Sequence, residues 1–114
     1  MSFQPPTTFP KRDPSEKVAF DRRELGVILG LYGQMVAAGE WRDYAMSFLR
    51  DHAVFSVFRH SGETPLYRIE KRPSLRARQQ QYAVIGMDGR ILKRGADLKR
   101  VLHVLERKLI RAVK

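Results

Sequence analysis

An α+β fold is predicted by three features of the 114-residue chain. Apolar residues recur with helical period near both ends, β-branched and aromatic runs separated by turn residues fill the middle, and the length suits one hydrophobic core. The expected architecture is two N-terminal helices, a four-stranded antiparallel meander and a C-terminal helix packed on the sheet. Residues 18–114 form the domain. Residues 1–17 carry Pro5, Pro6, Pro10 and Pro14 with mixed charge, a composition that cannot repay the entropy of ordering and predicts a disordered tail.

Val18–Phe20 is expected to add a short edge strand. Asp21, followed three residues later by Glu24, makes a capping box, with Phe20 and Leu25 in staple positions. Leu25, Ile28, Leu29, Tyr32, Met35 and Val36 keep the helical period until Gly39, which can take the left-handed conformation that ends a helix. Gly26, Gly30 and Gly33 fall on one side of this helix, where close packing in the core or a helix contact with a partner would use them. A second helix is expected from Glu40, aligning Trp41, Tyr44, Ala45, Phe48 and Leu49. The aromatics Tyr32, Trp41, Tyr44 and Phe48 then read as core packing in preference to a ligand pocket.

From Ala53 the pattern changes. Val54, Phe55, Val57 and Phe58 form a strand-like run, a turn is expected at Ser61–Pro65, and Leu66–Lys71 alternates with Tyr67 and Ile69 on one face. Pro73 stops pairing by removing a donor, and the following segment is not strand-like. Tyr82–Met87 and Arg90–Arg94 read as two strands around an Asp88–Gly89 hairpin. After Gly95 a helix places Leu98, Val101, Leu102, Leu105 and Leu109 on one stripe, with Arg100, His103, Arg107, Arg111 and Lys114 on another.

Charge is divided unevenly along this plan. Residues 1–58 hold seven Lys/Arg and seven Asp/Glu, whereas residues 59–114 hold fifteen against five, so the formal +10 arises entirely in the second half. That asymmetry points to a polyanion. The densest segment runs Lys71, Arg72, Arg76 and Arg78, then Gln79, and reaches Tyr82 without an acid. Guanidinium groups bind phosphate in bidentate geometry, amides meet phosphates or base edges, and a tyrosine offers a stacking face. Together with Lys93, Arg94, Arg100, Arg107 and Arg111 these residues make the candidate strip for the phosphates of DNA or RNA. The competing expectation is a protein-interaction or homodimerisation module through the glycine-lined helix 25–38, using Gly26, Gly30, Gly33 and Trp41, with the basic half as solvated surface.

Catalysis finds no support. No nucleophile elbow, phosphate-binding glycine loop or dinucleotide fingerprint is present, so no enzyme activity and no cofactor are expected. With no cysteine there is no disulfide or thiolate nucleophile, and His52, His60 and His103 are not spaced as metal ligands. The lack of cysteine and of a secretory start predicts a cytoplasmic protein. The longest uncharged stretch, Leu25–Gly39, is too short for a membrane span.

Several phrases are distinctive: Val18-Ala-Phe-Asp-Arg-Arg-Glu-Leu25, Met35-Val-Ala-Ala-Gly-Glu-Trp-Arg-Asp-Tyr-Ala45, Pro65-Leu-Tyr-Arg-Ile-Glu-Lys-Arg-Pro73 and Leu92-Lys-Arg-Gly95. With them the chain resembles, over roughly residues 18 to 109, a family of small basic alphaproteobacterial proteins defined by a domain of unknown function. The resemblance implies a bacterial, cytoplasmic setting. It carries over no activity, ligand or site residue.

Overall fold

A computed structural model describes residues 16–60 and 64–112, with side chains described as far as Arg107. The expectations for residues 1–15, for the turn residues 61–63, and for the side chains of Leu109, Arg111 and Lys114 lie outside the described residues.

Helix α1 (Arg22–Ala37) starts with the expected capping box. Asp21 Oδ1 accepts from the Glu24 amide, and Glu24 Oε1 accepts from the Asp21 amide, each at 2.8 Å. Its end is also the expected one, with Gly39 at φ +78° and its N–H donating to the Val36 carbonyl at 2.9 Å. Val18–Phe20 forms no strand. The Val18 amide donates to the Leu49 carbonyl at 2.7 Å, and the side chains of Val18 and Phe20 are buried.

The second N-terminal helix is replaced by a strand, β1 (Asp43–Phe48), so the sheet has five strands and the N-terminal end one helix. This segment satisfies two periods at once: Trp41, Tyr44 and Phe48 fit a helix, while Tyr44, Met46 and Phe48 alternate as in a strand. Pairing decides between them. Chain reversal at Arg50–Asp51, with the Leu49 amide donating to the His52 carbonyl at 2.8 Å, brings the segment onto β2 (Ala53–Phe58) in continuous antiparallel register from Asp43↔Phe58 to Phe48↔Ala53.

β3 (Tyr67–Lys71), β4 (Tyr82–Gly86) and β5 (Ile91–Gly95) complete the meander in the order β1-β2-β3-β4-β5, every neighbour antiparallel. Pro73 opens a short 3-10 helix (Pro73–Arg78) where the sequence denies a strand. Helix α2 (Leu98–Ala112) follows β5. One sheet face, with Ala53, Phe55, Val57, Ile69, Tyr82 and Val84, is covered by both helices, which contribute Ile28, Leu31 and Met35 from α1 and Leu98, Val101, Leu102 and Leu105 from α2. Trp41 packs in the core and Tyr32 against it, as expected. Tyr44 stacks on Phe55 at 4.8 Å and 14°, Tyr32 meets Tyr44 edge-on at 5.0 Å, and Trp41, 3% exposed, lies 6.1 Å from Tyr32. Tyr44 and Phe48, on β1, are the exceptions in burial: both remain exposed, Tyr44 while stacked on Phe55.

The glycines of α1 do not pack in the core. Gly26, Gly30 and Gly33 are exposed, and a Cβ built on any of them meets nothing within 4 Å. Gly26 and Gly30 line a groove shared with Leu102 and Lys99 of α2. Replacing Gly30 with alanine is therefore expected to raise stability by about 0.5–1 kcal/mol, because it removes the backbone entropy cost of a helical glycine without a clash; a thermal melt reads the shift. Among the described residues no helix is long and apolar enough to cross a membrane.

Candidate nucleic-acid interface

The predicted strip divides into residues turned inward, residues held by acids and residues left exposed. Lys71 and Tyr82 turn inward. Both lie on the helix-bearing face of the sheet, opposite one another in the β3–β4 register. Lys71 Nζ donates to Glu24 Oε1 at 2.8 Å and to the Ala19 carbonyl at 2.9 Å, and the Tyr82 hydroxyl donates to Glu24 Oε2. The pair is enclosed, with Lys71 11% and Glu24 3% exposed. Glu24 thus closes the capping box and ties the start of α1 to β3 and β4. Neither Lys71 nor Tyr82 is placed to meet a phosphate or a base.

Burial first, and then the hydrogen bond to Glu24, push the Tyr82 hydroxyl well above the ordinary tyrosine range. A raised folded-state value means stability that is complete below the unfolded tyrosine value near about pH 10 and is lost as pH climbs through the folded one. Replacing Tyr82 with phenylalanine should lower stability at pH 7 by about 1–2 kcal/mol through the lost bond to a charged acceptor. It should also flatten the decline above pH 10, as chemical denaturation at both pH values will show.

Arg72 and Arg94 are engaged by acids that the sequence reading did not assign. Arg72 grips Glu70 through Nε and Nη2, each at 3.3 Å, and reaches Asp51 at 3.0 Å. The hydrogen bond to Glu70 is the main reason its guanidinium is held above its ordinary range. Arg94 approaches Glu70 at 3.6 Å and donates to the Gln80 carbonyl at 3.0 Å. Glu70 and Arg94 both pair with Ala83 in the register, which puts them on the sheet face away from the helices. A signal for the first contact was present, since residues two apart in a strand, such as Glu70 and Arg72, project to the same side.

Four of the candidates converge. Gln79, Lys93, Arg94 and Arg100 line a single shallow concavity where the loop after the 3-10 helix, the end of β5 and the first turn of α2 meet. Gln79 is held there by a left-handed backbone, φ +57°, that closes the 3-10 helix with its N–H donating to the Arg76 carbonyl at 2.8 Å. Arg76 and Arg78 are exposed on that helix, and Arg107 is exposed on α2 two turns beyond Arg100, about 10 Å along the axis. Among the described residues Arg76, Arg78, Lys93, Arg100 and Arg107 make no ion pair. One acid enters the concavity: Asp97, whose Oδ1 accepts from the Arg100 amide at 3.2 Å at the start of α2.

Among the described residues no group of three or more His, Cys, Asp or Glu side chains could hold a metal ion. His103 pairs with Glu106 at 3.0 Å on the surface of α2, and His52 with Asp51 at 2.7 Å.

Comparison with known proteins adds a family. Residues 18–102 match the family described as Protein of unknown function (DUF2794), and the chain belongs to it. No curated protein and no solved structure matches.

Proposed function

We propose that this member of the family is a non-enzymatic nucleic-acid-binding protein acting in a bacterial cytoplasm. Its phosphate contacts come from Arg76, Arg78, Lys93, Arg100 and Arg107, helped by Arg94, and Gln79 is the candidate for a phosphate or base-edge contact. One observation carries this reading: Gln79, Lys93, Arg94 and Arg100, supplied by the loop after the 3-10 helix, β5 and α2, line the same concavity, and Lys93 and Arg100 make no ion pair among the described residues. Exposed guanidinium and ammonium groups supply affinity through counterion release and little choice of sequence. Binding should therefore be salt-sensitive and weakly selective.

Fluorescence anisotropy with labelled duplex DNA, single-stranded DNA and structured RNA, each at about 50 and 200 mM salt, tests the proposal. Micromolar or tighter binding to one of them at the lower salt, weakening at the higher, supports it and identifies the class. Equal binding to heparin, an acidic peptide and all three nucleic acids would instead describe a general polyanion surface.

A further inference from the structure

The two outer edges of the sheet are built differently. β5 carries Lys93 and Arg94, its pairing with β4 shifts register between Val84 and Ile85, and α2 packs beside it. Charge, irregularity and cover of this kind keep another strand from adding. Among the described residues β1 has no register shift and no helix beside it. Its six residues hold one charge, Asp43, and no lysine or proline, and all six are exposed. Tyr44, Met46 and Phe48 are 39%, 37% and 40% exposed on the helix-bearing face, and Leu49 follows at 43%. Leu29 and Val36, each 41% exposed, flank Tyr32 on α1, and Tyr32 itself touches Tyr44, so they extend the same apolar surface.

The backbone of β1 is equally open. The bond from the Leu49 amide to the His52 carbonyl sets the alternation of the β1–β2 ladder, which turns the N–H and C=O groups of Tyr44, Met46 and Phe48 away from β2. Among the described residues the Tyr44 amide donates to the neighbouring Asp43 Oδ1, at 2.8 Å. These groups, beside an exposed apolar surface, suit a strand.

Charge selects the strand's owner. Residues 1–58 are balanced, seven bases against seven acids, and the sheet order puts β1 at the edge farthest from the basic strip on β5. Two chains of formal +10 can meet at the balanced edge while their basic faces stay apart. We propose that a second copy of this chain docks there, β1 antiparallel to β1, joining two sheets into one.

Symmetry then fixes the register. A two-fold axis that relates antiparallel edge strands runs perpendicular to the sheet, so both helix layers lie on the same side and like faces meet. Centred on Met46, this pairing sets Met46 opposite Met46 and Tyr44 opposite Phe48, with all three outward-turned residues in hydrogen-bonding positions. The alternation also places the aromatic pair on the helix-bearing face, where cross-strand aromatic contacts stabilise a sheet.

The chain has no cysteine, which makes the register testable by a single introduced one. Hydrogen-bonded antiparallel residues have Cα atoms about 5.5 Å apart, inside the disulfide range of about 4.4–6.8 Å. Met46→Cys in the full chain should cross-link to a covalent dimer under mild oxidation, whereas Leu92→Cys, on the far edge, should not. Light scattering should find the wild type dimeric and Met46→Lys a 13.2 kDa monomer with unchanged circular dichroism, because Met46 is exposed in the single chain, and only the wild type's urea midpoint should rise with protein concentration. A wild type that stays monomeric across the micromolar range overturns the proposal, as does a Met46→Lys variant that remains dimeric. Equal cross-linking at Met46 and Leu92 removes the register.

Discussion

Replacing Lys71 with methionine is expected to destabilise the protein by about 3–5 kcal/mol, because it leaves the Glu24 carboxylate buried without its counter-charge. The loss is large beside the total stability of about 5–15 kcal/mol usual for a domain. Glu24 is 3% exposed, so water cannot take over from the ammonium, and the Tyr82 hydroxyl and Asp21 amide, which still meet its two oxygens, carry no full charge. Adding Glu24→Gln to Lys71→Met should restore much of the loss. Glutamine keeps the capping box, carries no charge and can still meet the tyrosine, and residues in such direct contact are not additive. Urea denaturation of the two single variants and the double variant measures the coupling. The same Lys71→Met protein, assayed where it is still folded, should bind nucleic acid as the wild type does.

The second large effect concerns binding. Reversing Arg76 and Arg78 to glutamate should weaken nucleic-acid affinity about tenfold or more at moderate salt, since two phosphate contacts are lost and two repulsions added. Both side chains are exposed on the short 3-10 helix and make no ion pair among the described residues, so the fold should hold. The same reversal at Arg22 and Arg23, exposed at the start of α1, should change affinity far less. Equal losses from the two pairs would mean that net charge, and not a face, governs binding.

Much of this arrangement could be read from the chain because local chemistry specified it. The Asp21–Glu24 box, the left-handed Gly39 and the Asp88–Gly89 turn are short-range signals, and each sits where the sequence placed it. The segment after Gly39 failed because Tyr44 and Phe48 suit either period and only pairing with β2 selects the strand. The core reading of the α1 glycines failed for a related reason: small residues at helical spacing permit close approach without requiring it, and among the described residues a Cβ at any of the three meets nothing within 4 Å.

The site was legible as a charge excess but not as a surface. Composition cannot distinguish Lys71, whose ammonium is drawn inward by a carboxylate 47 positions away, from Lys93, which stays exposed. Nor does it reveal that Glu70 gathers Arg72 and Arg94. The edge formed by Gln79, Lys93 and Arg100 depends on the meander bringing the loop, β5 and α2 to one place, which is a property of strand order.

The salt dependence of binding addresses the basic strip most directly. For whichever labelled nucleic acid binds tightest, the logarithm of the association constant should fall against the logarithm of salt concentration. If Arg76, Arg78, Lys93, Arg100 and Arg107 each meet a phosphate, the slope should be about −4 to −5 for duplex DNA and about −3 to −4 for a single strand. The Lys93→Gln, Arg100→Gln double variant should be shallower by about 2, one unit for each contact removed. A wild-type slope near zero, or a double variant with an unchanged slope, would contradict the assignment of this edge as the nucleic-acid interface.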